Sequence, residues 1–354
     1  MATLIIQIPC YNEEETIGTT LNQLPRRLPG VDKIEWLVIN DGSTDRTAAV
    51  AEVNGADYIV THPRNRGLAH AFITGLEAGL ARGADIIVNL DADNQYCAEY
   101  IEDLIRPILN GSAEVVIGAR PIDEIGSFSR MKKMLQKVGS WIVRQASGTN
   151  IPDAPSGFRA FSREAAMHMR VYSQYTYTLE TIIQAGQQGF GILWVPIRTN
   201  PVCRPSRLMR SIPSYLFHSA TTIVRIFVVY RPFRFFFTIG LLLLSLGACL
   251  GARFLWYYLT ASGQGHVQSL ILASILIGIG FQTIMVAFIA DLLSVNRRLS
   301  ENIRYHQHRD AIFESSRKVG QSDCPICGET RIGMSRKAVA DQRHSANPGQ
   351  HRSI

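Results

Sequence analysis

Two long apolar runs near the C-terminus constrain this chain more than any other feature. Phe235 to Ala252 is 18 residues without a charge, and Val267 to Ala290 is 24. A run of about 18 or more such residues is long enough to cross a bilayer, and a soluble domain has no need of two in tandem. They lie in a block, residues 181–290, that holds eight Arg and no Asp or Glu. The formal charge of +7 would otherwise suggest nucleic acid. A basic block that is also the apolar block points instead to a membrane with anionic head groups, and nucleic acid is not expected as a partner. Arg225, Arg231 and Arg234 precede the first run, Arg297, Arg298, Arg304 and Arg309 follow the second, and the loop at about 258–266 has no Lys or Arg. The positive-inside bias places both flanks in the cytoplasm. Trp256, Tyr257 and Tyr258 lie where an aromatic belt would sit, and Arg253 can snorkel outward. No basic leader precedes the first strand, so roughly the first 200 residues are expected to be a cytoplasmic domain on a C-terminal hairpin.

That domain alternates short apolar runs with helical spacing. Leu4 to Pro9, Trp36 to Ile39, Tyr58 to Thr61, Ile86 to Leu90 and Val115 to Ala119 read as strands. Thr16 to Leu28, Thr44 to Val53, Gly67 to Arg82 and a stretch at about Cys97–Leu109 read as helices. The first has Glu13, Glu14 and Glu15 at its start, favourable for the dipole, and Ser43 or Thr44 caps the second. Such alternation implies an α/β fold, a mostly parallel sheet with helices on both faces. In such sheets ligands bind beyond the carboxyl ends of the strands. The polar clusters fall there: Tyr11-Asn12-Glu13, Asn40-Asp41 and Asp91 to Gln95. Six Cys in 354 residues are no disulfide scaffold, and the scattered Cys10, Cys97, Cys203 and Cys249 are expected as free thiols.

The segments Pro9-Cys10-Tyr11-Asn12-Glu13-Glu14, Asn40-Asp41-Gly42-Ser43-Thr44-Asp45, Asn65-Arg66-Gly67-Leu68-Ala69 and Asp91-Ala92-Asp93-Asn94-Gln95 resemble, in order and spacing, the family-2 glycosyltransferases. Asp153-Ala154-Pro155-Ser156-Gly157-Phe158-Arg159 and the apolar hairpin narrow the resemblance to the polyprenyl-phosphate glycosyltransferases, over roughly residues 1–310. The resemblance implies a GT-A-like, Rossmann-type domain followed by two transmembrane helices. It also implies metal-dependent, inverting transfer of one sugar from a UDP- or GDP-linked donor to a dolichyl or undecaprenyl phosphate.

The chemistry needs these residue types. A leaving diphosphate is best neutralised by a divalent cation, and Mg2+ or Mn2+ wants hard oxygen ligands. Asp91, Asp93 and Gln95, at i, i+2 and i+4, would supply three from one extended strand end, with Asp93 the strongest candidate. Asp91 or Gln95 could instead cap the next helix. Pro9, Tyr11, Asn12 and Glu13 match the family's nucleotide contacts, with Asp41, Ala92, Arg204 and Arg207. Asn40 stands where the family commonly has Asp, which keeps the hydrogen bonds but drops a charge. Arg66-Gly67 could cradle a phosphate or simply begin a helix.

A hydroxyl acceptor needs a general base. A lipid monophosphate, with a second pKa of about 6, is already anionic and needs cations instead. Arg120, Arg130, Lys133 and Ser129 are the candidates around it, with Arg159 and Ser156 as further ones. Arg120, Arg130 and Asp93 are the candidate catalytic groups. Glu180 is the base a hydroxyl acceptor would use, in the alternative reading of a glycolipid or glycan acceptor, or else a helix-cap carboxylate. Residues 127–146 (Phe128, Met131, Met134, Leu135, Val138 and Ile142, with Lys and Arg between) read as a basic amphipathic helix in the head-group plane, and 208–230 as a second. The Gln-x-x-Arg-Trp sequence of processive synthases does not occur. The expected organisation is a glycosyltransferase domain at 1–206, an interfacial segment at 207–232, the hairpin at 233–291 and a basic cytoplasmic tail at 292–354, disordered from about 315. Cys324 and Cys327 with His344 and His351 are half a zinc site, the His pair being too widely spaced. Homo-oligomerisation is left open by the sequence.

Overall fold

The computed structural model describes residues 2–121, 149–171, 177–200, 231–260 and 267–319, with isolated positions between 134 and 148 and between 221 and 228. Seven strands form one sheet in the order β3-β2-β1-β4-β6-β5-β7. They are β1 (Thr3–Cys10), β2 (Lys33–Asn40), β3 (Tyr58–Thr61), β4 (Ile86–Asn89), β5 (Val115–Ala119), β6 (Arg159–Ser162) and β7 (Ile192–Pro196). β1 pairs in parallel with β2 and β4, with Pro9 opposite Ile39 and Gln7 opposite Asn89. β6 is the exception, lying antiparallel between β4 and β5. It is four residues of mixed polarity and follows a long connection, so no periodicity marks it in the sequence.

The helices are α1 (Ile17–Gln23), α2 (Thr47–Val53), α3 (Leu68–Ala81), α4 (Ile101–Leu109), α5 (Arg163–His168), α6 (Thr178–Gln187), α7 (Pro232–Thr260) and α8 (Val267–Val319). Both sheet faces are covered, as the alternation requires. α1 and α4 bury Ile17, Leu21, Ile101 and Leu104 on one face. α3, α5 and α6 cover the other, where Phe72 stacks on Tyr177 at 4.0 Å and meets Phe161 edge-on at 5.8 Å.

The limits of α1 and α2 differ from expectation. α1 stops at Gln23 because Leu24 precedes Pro25 and takes an extended ψ of 138°. Glu13 to Glu15 lie ahead of its first turn, and Glu13 instead accepts a hydrogen bond from Thr16 Oγ1 at 2.9 Å. α2 begins at Thr47, whose N–H is capped by Asp45 at 3.0 Å, not by Ser43 or Thr44.

α7 and α8 form an antiparallel apolar hairpin, and both are long and apolar enough to cross a membrane. They approach closely where side chains are small: a Cβ on Gly240 would lie 2.9 Å from Gly280 O and 2.7 Å from Ile284 Cγ1. With no hydrophobic drive between helices in lipid, such contact surfaces carry the packing. α8 is 53 residues, about 80 Å long, and its helix runs on to Val319, past the point where the sequence suggests a disordered tail. It also touches α3 and α5. Cys324, Cys327, His344 and His351 lie outside the described residues.

Gly240→Leu is expected to separate the hairpin and lower the melting temperature of the solubilised protein by roughly 5 °C, whereas Gly251→Leu, whose Cβ meets nothing within 4 Å, is expected to leave it unchanged.

Candidate active site

The strand order reverses between β1 and β4, and the crevice beyond that switch point is where such sheets hold ligands. Four loops meet there, following β1, β2, β3 and β4. They are locked together by their own polar side chains. Asn12, at a left-handed φ of 55°, accepts from Thr44 N at 2.8 Å and its own N–H donates to Ser43 Oγ at 3.0 Å. Glu13 N donates to Thr47 Oγ1 at 2.8 Å. Asn40 Oδ1 accepts from Ser43 N at 3.1 Å, a turn-closing role that needs an oxygen and no charge. Gly42, at φ 69°, passes so close to the Arg64–Asn65 backbone that no side chain fits.

Asp41 is the knot of this arrangement. It is buried, accepts from Arg66 N at 2.9 Å and Gly67 N at 2.8 Å, and faces His62 Nδ1 at 2.7 Å. His62 Nε2 reaches Thr74 Oγ1 on α3 at 3.0 Å. Burial works against the charge, but the His62 hydrogen bond and the two backbone donors outweigh it and hold the carboxyl below its usual range. Asp41 thus fixes the loop carrying Arg66 and Gly67. Pro9 is buried in β1, while Tyr11 is exposed beside the crevice.

Asp91 and Asp93 follow β4, but not as an extended strand end. β4 stops at Asn89 and residues 91–94 form a turn in which Asn94 has φ 56°. The expected i, i+2, i+4 projection is therefore replaced by turn geometry: Asp93 Oδ1 accepts from Gln95 N at 3.2 Å. The turn is pinned on both sides. Ala92 O accepts from Thr20 Oγ1 at 3.1 Å, Asn94 O from Asn200 Nδ2 at 3.0 Å and Gln95 O from Asn200 N at 2.9 Å.

The floor under Asp91 is the segment 153–158. A Cβ on Gly157 would lie 2.7 Å from Asp91 Oδ2, so only Gly lets this backbone approach. Its N–H donates to Tyr96 Oη at 3.1 Å, and its carbonyl accepts from Asn89 Nδ2 at 2.8 Å. Asn89 also donates to Tyr177 Oη at 2.9 Å and accepts from Gln7 Nε2 at 2.8 Å. Asp153 is fully buried and takes Arg120 bidentately, Nε–Oδ2 2.7 Å and Nη2–Oδ1 3.1 Å. Burial opposes the Arg120 charge, but Tyr96, Asp153 and Asp91 together keep it firmly cationic.

Arg159 is not a cation facing the crevice. It is fully buried, its guanidinium donating to the carbonyls of Ser156, Thr178 and Ala154 and to Thr181 Oγ1 at 2.6–2.7 Å. Burial pulls its pKa down to about 10, so it stays charged at neutral pH. Ser156 is likewise buried. Glu180 is buried in the first turn of α6. Ser129, Arg130, Lys133, Arg204 and Arg207 lie outside the described residues. Asn89, Tyr96, Tyr177 and Asn200 support the site without having been singled out from sequence. Asn89 and Tyr96 flank the recognised segment Asp91 to Gln95, while Tyr177 and Asn200 carry no such signal.

A divalent cation suits the two carboxylates. Burial and the neighbouring Asp93 raise the Asp91 pKa well above the carboxylate range, with Arg120 and Arg159 pulling the other way. Two acids crowded at a half-buried turn call for a compensating cation, and Mg2+ or Mn2+ needs only one or two carboxylates, taking its other ligands from phosphate and water. Gln95 contributes its backbone to the turn.

A family model described as Glycosyl transferase family 2 matches residues 5–170. The UDP-N-acetylglucosamine--dolichyl-phosphate N-acetylglucosaminyltransferase of Methanococcus voltae is 33% identical over 54% of this chain and 83% of its own. The polyprenol monophosphomannose synthase of Mycolicibacterium smegmatis is 30% identical over 55% of this chain and 76% of its own. Glucosyl-3-phosphoglycerate synthase from Mycobacterium tuberculosis, solved with Mn2+, uridine diphosphate and phosphoglyceric acid, aligns with a TM-score of 0.50 at 21% identity, over 64% of this chain and 78% of that one. That last likeness is one of fold.

Gly157→Ala is expected to weaken Mn2+ binding by ~10-fold or more, read by electron paramagnetic resonance of free Mn2+, because the added methyl displaces the Asp91 carboxylate. Asp41→Asn is expected to cost about 2 kcal/mol at pH 7. Since the folded pKa of Asp41 lies below its unfolded value of 3.8, its contribution is complete above about pH 4 and is lost as pH falls through the lower folded value. Urea titrations of both forms from pH 7 to pH 3 should show the gap closing only at the acid end.

Proposed function

The chain belongs to glycosyl transferase family 2 and is a glycosyltransferase; from that premise we propose that it moves one sugar from a UDP- or GDP-linked donor to a polyprenyl phosphate at the cytoplasmic face of a membrane. The observation that carries this reading is the Asp91–Asp93 turn at the switch point of the sheet, with the Arg120 cation beside it, in a chain that also carries two apolar helices long enough to span a bilayer. The named activities of the two curated relatives agree with it.

In this reading Asp91 and Asp93 hold Mg2+ or Mn2+. When bound, the cation offsets the charge that develops on the departing diphosphate. Tyr11, Asn12, Glu13 and the loop fixed by Asp41 line the nucleotide side. The acceptor's phosphate oxygen attacks the anomeric carbon, the bond to the nucleoside diphosphate breaks with its electron pair, and the configuration inverts. No proton has to be removed, since the phosphate is already anionic at neutral pH. What the chain must supply is positive charge. Arg120 keeps its Nη1 clear of Asp153, and Arg204 and Arg207 follow within seven residues of Asn200, which is pinned to the Asp93 turn. Arg130, Lys133 and Ser129 are assigned to the acceptor phosphate.

The membrane setting has a second support. The described positions between 134 and 147 are helical. Ser140 and Val143 are buried against the domain, while Met134 and Trp141 are 54% and 51% exposed, as a helix lying in head groups requires. The hydroxyl-acceptor alternative would rest on Glu180, which is enclosed in the first turn of α6.

Membranes containing the protein, given polyprenyl phosphate, Mg2+ or Mn2+ and a panel of labelled UDP- and GDP-sugars, are expected to yield acid-labile label in the organic phase. A chelator should abolish it, and Asp93→Asn should reduce it by ~100-fold or more. Label passing only to water or to a hydroxyl acceptor would overturn the proposal.

A further inference from the structure

The outward face of α8 carries one group that lipid cannot satisfy. The inward face packs on α7 through Ala273, Ile277, Gly280 and Ile284. Diametrically opposite, on a helix turning about 100° per residue, lies Gln282. It is exposed, and its amide makes no hydrogen bond among the described residues. It sits midway along the span Val267–Arg297, at the depth where a bilayer holds no water. Every neighbour on that stripe is apolar.

The stripe is also regular. Ile271, Ile275, Gly278, Gln282, Val286 and Ile289 are spaced by four, three, four, four and three residues, which keeps them on one face of a straight helix along its length. β-Branched residues dominate it. Gly278, one turn before Gln282, meets nothing within 4 Å, so a second backbone can come close beside the amide. A single amide in an apolar seam sets register between helices.

We propose that this face pairs with the same face of a second copy, related by a two-fold axis along the membrane normal. Both copies insert in the same direction, so Gln282 meets its equivalent at the same depth. A carboxamide donates and accepts at once, which makes the residue complementary to itself. The inference rests on the hairpin spanning the bilayer and takes no support from the transferase reaction.

The test uses the full chain in lipid nanodiscs, with copies per disc counted by single-molecule photobleaching. Carbonate extraction comes first: release of the protein from the membrane would overturn the spanning hairpin itself, a failure distinct from that of the pairing. For the inserted protein, wild type is expected as pairs, Gln282→Leu to lower the association constant by about 5-fold, and Gln282→Asn to retain it. In a Cys249→Ser background, which removes the exposed thiol of α7, Gln282→Cys should give a disulfide-linked pair under oxidation. Phe281→Cys, about 100° round the helix, should not. A wild type that stays single, or a Gln282→Leu form that pairs as wild type does, overturns the proposal.

Discussion

The buried guanidinium of Arg159 holds the floor of the active site. A charge removed from water is tolerated only where it is hydrogen-bonded, and here three carbonyls and a hydroxyl engage all three guanidinium nitrogens. Two of those carbonyls belong to Ala154 and Ser156, so the guanidinium sets the path of the chain just before β6. That path brings Gly157 under Asp91 and Asp153 against Arg120. Removing the guanidinium would leave carbonyls orphaned before and after β6, the strand that joins β4 to β5.

From that floor the polarity of the site follows. Asp91 and Asp93 crowd negative charge at the end of β4, and Arg120 is kept cationic by the acids it lies among. The crevice is thus prepared for a cation on one side and for phosphate on the other. Asn89 and Tyr177 reach Gly157 from within the core, and Tyr177 is also the ring that stacks on Phe72. Packing and site geometry are therefore one network. A change in the core beneath Tyr177 moves the floor, and with it the carboxylate.

The family, the sheet class and the loops that carry the site were legible in the sequence because each parallel strand is a short apolar run followed at once by a polar cluster. Asp91, Asp93 and Asp41 stand in such clusters. The limits of α1 and α2 were less legible, since Pro25 and Asp45 act through backbone conformation and a single hydrogen bond. Arg159 was misjudged for a physical reason. An Arg in a polar segment reads as a surface cation, and only the carbonyls of Thr178 and Ala154, remote or bent back in sequence, show it to be core.

The sequence by itself determined that the chain is an α/β glycosyltransferase domain followed by two apolar helices, because periodicity, charge segregation and ordered motifs are local properties. Tertiary structure alone decided that β6 inserts antiparallel and that Asp91 and Asp93 sit in a turn. It also decided which acid closes on Arg120 and which face of α8 packs on α7. Those outcomes depend on groups far apart in the chain, Asn89 with Gly157 or Gly240 with Gly280, meeting at distances no spacing rule encodes.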